Sequence, residues 1–157
     1  MYSQVAICFN PSVRDLCCKP YPNHKKGCPN FGKRDDCPPH CELITELIDV
    51  GKPMYAVYNK FNIGSHAKRM REKHPEWSDR QVYCCLYWQP KARKQLKENI
   101  LKFKKEFKDL FIVKNPEASG IDVTKTMLTA GIKLEWPPKK WAYQVILAGT
   151  PLNGNKQ

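Results

Sequence analysis

Seven cysteines stand where thiolates could meet a metal: Cys17, Cys18, Cys28, Cys37, Cys41, Cys84 and Cys85. Thiolates are soft donors, and a site built from them favours zinc or an iron–sulfur cluster over hard cations. Ten residues separate Cys17 from Cys28, eight separate Cys28 from Cys37, and three separate Cys37 from Cys41. No pair has the two-residue gap of a zinc ribbon, and the compact bacterial ferredoxin run is missing. Spacing therefore admits a metal without selecting one. Local context adds support. Cys28 and Cys37 each precede a proline, which stiffens the loop and removes an N–H that would need a partner. Gly27 and Gly32 permit tight turns beside the sulfurs.

The expected ligand set is Cys17, Cys28 and Cys37 from the loop and Cys85 from a downstream helix, with Cys18, Cys41 and Cys84 as alternates. Adjacent residues on a helix point about 100° apart, so one member of each cysteine pair should ligate and the other pack. Such a centre would tie an irregular segment to the regular body. A 4Fe–4S cluster is the expected cofactor, and zinc on four thiolates is the alternative. His24 and His40 are lesser candidates, since a lone loop histidine is more often a surface residue. Cys8, inside Val5-Ala6-Ile7-Cys8-Phe9, fits a packed core thiol. The competing readings of all eight cysteines are core packing, or a disulfide scaffold in an exported chain.

Two segments carry a family resemblance. Gly27-Cys28-Pro29-Asn30-Phe31-Gly32 followed by Cys37-Pro38-Pro39 resembles a prokaryotic family of small cysteine-rich domains described as metal-binding and of unknown function. Pro116-Glu117-Ala118-Ser119-Gly120-Ile121-Asp122-Val123, with Thr126 and Gly131, resembles that family's later motif. The resemblance implies a thiolate-bound metal centre, iron–sulfur in kind, and no settled reaction. Members often carry a Cys just before the Pro-Glu, where this chain has Asn115. The resemblance therefore implies no second cluster here.

Charge points to a different partner. The formal net charge is +12, with +4 in residues 1–78 and +8 in residues 79–157. Lys91, Arg93, Lys94, Lys97, Lys102, Lys104, Lys105 and Lys108 crowd one segment against Glu98 and Glu106. A helix there could lie along a phosphate backbone, and Lys91, Arg93, Lys94, Lys97, Lys104, Lys105 and Lys108 are the candidate contacts to nucleic acid or another polyanion. Tyr83, Tyr87 and Trp88 could stack on bases, although aromatics beside an apolar stripe belong more often to a core. A structural zinc module that binds nucleic acid is one alternative function. A cluster-dependent enzyme for sulfur transfer or nucleic-acid modification is another. No phosphate loop, dinucleotide glycine pattern or nucleophile elbow is present, and Asp35-Asp36 reads as an exposed turn.

The elements that must position these residues follow from periodicity and punctuation. At 157 residues the chain fits one domain. Residues 10–42 form a Cys/Pro-rich loop, 43–150 an α/β body, and 151–157 a tail. Prolines disfavour regular structure between Pro20 and Pro39, and a loop that long needs an organiser. Leu43–Val50 predicts a short helix, Met54–Phe61 a strand, and Ser65–Lys73 a helix. Ser78-Asp79-Arg80-Gln81 has the form of a capping box, so a helix carrying Cys84 and Cys85 should start at Asp79. Pro90 should kink that helix or open a new one. Ala92, Leu96, Ile100, Phe103 and Phe107 form one helical stripe within Lys91–Leu110. Phe111–Val113 reads as a buried strand, and Asp122 as the cap of a helix ending at Gly131. Ile132–Trp136 and Trp141–Ala148 are candidate strands. The sum is an α+β fold, a single mixed sheet flanked by helices. No apolar run approaches the roughly 18 residues of a membrane span, and the N-terminal residues lack a secretory pattern. The expected setting is cytoplasmic, with no membrane partner.

Overall fold

The computed structural model describes residues 1–20 and 25–152. Its elements, in chain order, begin with strand β1 (Tyr2–Val5), a 3-10 helix over Pro11–Cys18, helix α1 (Ile44–Leu47), strand β2 (Met54–Asn62) and helix α2 (Ile63–Lys73). There follow α3 (Asp79–Val82), α4 (Cys85–Glu106), β3 (Phe111–Val113), α5 (Val123–Thr129) and β4 (Trp141–Gly149). The fold is α+β with a single four-stranded sheet of order β1-β2-β4-β3. Every pairing is antiparallel, where the sequence suggested a mixed sheet.

Alternation along β2 explains the layers. Met54 and Ala56 face one side, with Val5, Val113, Leu147, Ile44, Ile48, Ile121, Val123 and Met127. Val57 faces the other, with Phe103, Ile112, Ile146 and Ala148. The period of two in the strand thus feeds two cores. Helix α4 covers the second face. Its stripe behaves as its spacing requires: Ala92 and Phe103 are buried, and Leu96, Ile100 and Phe107 pack partly buried against the sheet. Asn59, buried in β2, fastens the helix by donating to the Ala92 carbonyl at 2.8 Å. Helix α5 lies on the opposite face, started by Asp122, whose Oδ1 accepts the Lys125 N–H at 3.0 Å. Gly131, at φ +73°, follows it in the left-handed region.

Several boundaries differ from expectation. The 3-10 helix occupies the start of the segment read as irregular, while residues 25–43 hold turns. The helix expected over Leu43–Val50 shortens to Ile44–Leu47, because Ile48 leaves to bridge Pro151. Pro151 and Leu152 are therefore tied down rather than tail; Leu152 N–H donates to the Leu47 carbonyl at 3.1 Å. The capping box at Ser78 forms, with Gln81 Oε1 accepting from the Ser78 N–H at 3.0 Å and its hydroxyl at 2.9 Å. The helix it starts stops at Val82. Cys84 is the N-cap of α4 and Cys85 its first residue. Pro90 sits inside α4, so the Lys-rich helix begins six residues earlier than the apolar stripe alone suggested. Residues 132–136 form no strand. Ile132 N–H turns back to the Met127 carbonyl at 3.1 Å, and Ile132 and Leu134 pack partly buried against the core.

Candidate metal centre and basic face

The loop returns to its own start at Cys17. The Cys28 N–H donates to the Cys17 carbonyl at 2.7 Å. Gly27, at φ +82°, makes this approach possible, since a Cβ there would stand 2.5 Å from the Cys17 carbonyl oxygen and 2.9 Å from the Cys18 carbonyl carbon. A side chain would drive the two backbone segments apart. Farther along, the Gly32 N–H donates to the Pro38 carbonyl at 2.9 Å, and the Cys41 N–H to the Cys37 carbonyl at 3.1 Å. Arg14, on the 3-10 helix, closes the arrangement by donating to the carbonyls of Pro39 (3.2 Å) and Cys41 (3.0 Å).

Four half-buried thiols result. Cys17, Cys28, Cys37 and Cys41 are all free and partly enclosed, whereas Cys18 is exposed. Burial pushes the Cys17 thiol up from its ordinary value, and the neighbouring sulfurs of Cys28, Cys37, Cys18 and Cys41 push in the same direction. Burial and Asp36 likewise raise Cys37, with Cys28 and Cys41 adding to the effect. Mutual repulsion among thiolates is the electrostatic problem that a bound cation solves. Among the described residues, no three His, Cys, Asp or Glu side chains are gathered closely enough to hold a metal ion. The four sulfurs are neighbours without being at coordinating distance. Cys41 Sγ points to the Ala118 carbonyl at 3.0 Å, a contact its thiol makes as donor.

Cys84 and Cys85 contribute differently from expectation. Cys85, the expected fourth ligand, is exposed at the start of α4, and Cys84 is the more enclosed of the pair. The sulfurs acting on Cys17 and Cys37 are those of the loop itself. The body reaches the loop through other residues. Asn115 donates to the Asp36 carbonyl at 3.2 Å and to Asp36 Oδ2 at 3.0 Å. Asp36 in turn pairs with Arg34, accepting at 2.8 and 2.9 Å, and that guanidinium holds its carboxyl below the usual range. Cys17, Cys18 and Cys28 line a cleft of about 840 Å³ that Lys25, Lys26, Lys33 and Arg80 of α3 also line. His40 is exposed, with Nε2 3.3 Å from the Gly32 carbonyl. His24 lies outside the described residues. Cys8 is half-buried and held by its backbone, its N–H donating to Thr126 Oγ1 at 2.9 Å.

The basic residues take up a separate face. Lys91, Arg93, Lys94, Lys97, Lys104, Lys105 and Lys108 are all exposed, the last just beyond α4. The three aromatics upstream divide. Trp88 is core, stacked on Phe61 at 5.6 Å with its Nε1 donating to the Tyr83 carbonyl at 3.3 Å. Tyr83 is partly buried against the same cluster. Tyr87 is exposed and stacks on Trp77 at 5.1 Å. Sequence reasoning passed over Arg14, whose partners Pro39 and Cys41 lie 25 and 27 residues away, and Arg80, which meets the loop only in the fold. No helix among the described residues is long and apolar enough to cross a membrane.

Comparison with family models, with curated proteins and with solved structures finds no match to this chain.

Proposed function

We propose that the chain is a metal-binding protein whose loop holds a cysteine-ligated centre, a 4Fe–4S cluster, in a structural or redox role. The ligand set that the loop geometry favours is Cys17, Cys28, Cys37 and Cys41, with Cys41 replacing Cys85 as the fourth. The carrying observation is the close return of the Gly27-Cys28 backbone onto Cys17 and Cys18, sealed by the 2.7 Å hydrogen bond between Cys28 and Cys17. Four soft donors suit iron–sulfur chemistry or zinc. Ligation requires Cys41 to give up its contact with the Ala118 carbonyl and the four sulfurs to draw inward. The lysines and Arg80 around the cleft offset the negative charge that four thiolates bring.

Purification without oxygen, followed by iron, sulfide and zinc analysis, tests this reading. The expected result is a brown protein with iron and sulfide in equal amounts. Substituting Cys17, Cys28, Cys37 or Cys41 by Ser should each remove the metal, while Cys85→Ser retains it. A colourless protein holding one zinc ion would replace the cluster with a structural zinc site. A fully folded, metal-free protein after reconstitution would overturn both.

A further inference from the structure

Strand β4 is central for only part of its length. It pairs with β2 from Trp141 to Ala148, but β3 covers its other edge only at Leu147, Ala148 and Gly149. Among the described residues, no strand lies against that edge from Trp141 to Ile146. Two clefts of about 310 and 240 Å³ lie here and share Leu134, Trp136, Tyr143 and Gln144. Trp136 is 67% exposed, and its ring is steadied by one hydrogen bond from Nε1 to Thr124 Oγ1 at 3.1 Å. Arg93 and Lys114 bring cationic groups to the larger cleft. Arg93 spends one of its donors on Gln89 Oε1 at 3.0 Å, out of five that a guanidinium carries. Gln144 lines both clefts, and its Oε1 is buried with no hydrogen-bond partner among the described residues.

We infer that this groove along the open edge of β4 binds a nucleobase together with its phosphate. An exposed indole offers a stacking face that any base can use. The unpartnered amide oxygen calls for an N–H, which the edge of a base supplies. Arg93 and Lys114 suit the phosphate. From Arg93 the exposed Lys94 and Lys97 continue along α4, so further phosphates of a strand would meet more positive charge. Two carboxylates line the clefts. Glu135 is occupied, accepting the backbone N–H groups of Lys139 (2.8 Å) and Lys140 (3.0 Å). Glu117 opposes an anion, and its replacement by Gln should favour binding. The ligand chemistry has two sources, a single strand or a free nucleotide.

Fluorescence anisotropy with labelled oligo-U and oligo-dT of about twelve nucleotides, a length within the range that stacking grooves cover, tests the groove. The full chain is used, with and without metal. Equilibrium dialysis with UMP runs in parallel. Strand binding should fall with salt, weaken about tenfold in Trp136→Ala, lose about one unit of salt slope in Arg93→Glu, and tighten in Glu117→Gln. Saturable UMP binding that Trp136→Ala abolishes, with no gain in affinity for the strand, would assign the same groove to a free nucleotide. Equal binding by Trp136→Ala, or competition by polyglutamate as strong as by a strand of equal charge, would reduce the interaction to general electrostatics and overturn the inference. Absence of binding to either ligand at low salt would also overturn it. Metal loss leaves this result unchanged, so the two proposals fail separately.

Discussion

Glu117 sits in the segment that joins β3 to α5, between Pro116 and Ala118, both buried. Its side chain reaches solvent, yet the carboxyl is crowded within a concave cleft, and desolvation pushes its pKa up. A raised folded value means that the folded chain holds the proton more tightly than the unfolded chain. Stability is then lost as pH rises through that value and is retained below the usual glutamate range. Glu117→Gln should melt higher than the parent near neutral pH, and the gap should close in acid. Melting curves at the two ends of that range read it; a gap of constant size would refute the assignment to titration. At this scale the sequence was legible where chemistry is local. The Asp122 cap and the Ser78–Gln81 box form between close neighbours. Asn115 was legible only as a departure from a motif. Its partner Asp36 lies 79 residues away, a distance that no local pattern encodes.

Helices and strands show the same division. The stripe Ala92 to Phe107 specifies a helix and its buried face without reference to anything else, and α4 obeys it. The start of α4 was misjudged because Pro90 reads as a boundary. The helix runs through it, and Pro90 cannot donate a backbone hydrogen bond to the turn before it. Pro90 is exposed, so alanine there should clash with nothing. Pro90→Ala is expected to restore that hydrogen bond and stabilise the chain by up to about 3 kcal/mol, read as a shift in the urea midpoint. An unchanged or lower midpoint would show that the proline's rigidity matters more than the missing bond. Residues 132–136 failed in the opposite sense. Their apolar alternation suits a strand, but Leu134 and Ile132 are drawn into the α5 side of the core instead. Strand preference describes a fit to a half-buried surface, and that surface was taken by another geometry.

For the whole molecule, the basic face of α4 and the thiol loop occupy different territory. The thiol loop and its lysines sit beside α3 and the 3-10 helix, while Arg93 of α4 and Lys114 line the β4 groove. A net charge of +12 on this small a body repels itself. Melting temperature should rise as ionic strength increases from about 0.01 M to about 0.1 M, where the Debye length shrinks from about 30 Å to about 10 Å. A flat or falling response would mean that attractive pairs, such as Arg71–Asp79 at 2.7 Å, outweigh the repulsion. The fold class followed from the count and order of elements. The strand order did not, because β2 and β4 pair across the 78 residues between Asn62 and Trp141.

That late pairing governs how the chain must be made. β4 lies between β2 and β3, yet it follows both of them in the chain. Until Trp141 and its successors emerge, only β1 and β2 can join, and a two-stranded ribbon is marginal in water. Helix α4 is complete by then, with its apolar stripe still waiting for Ile146 and Ala148. A nascent or truncated chain ending before Trp141 therefore presents an open β2 edge beside apolar surface that Ile146 and Ala148 would cover, the combination that chaperones bind and that aggregates when they do not. Assembly of the sheet is in that sense a single closing event, performed by the nine residues of β4.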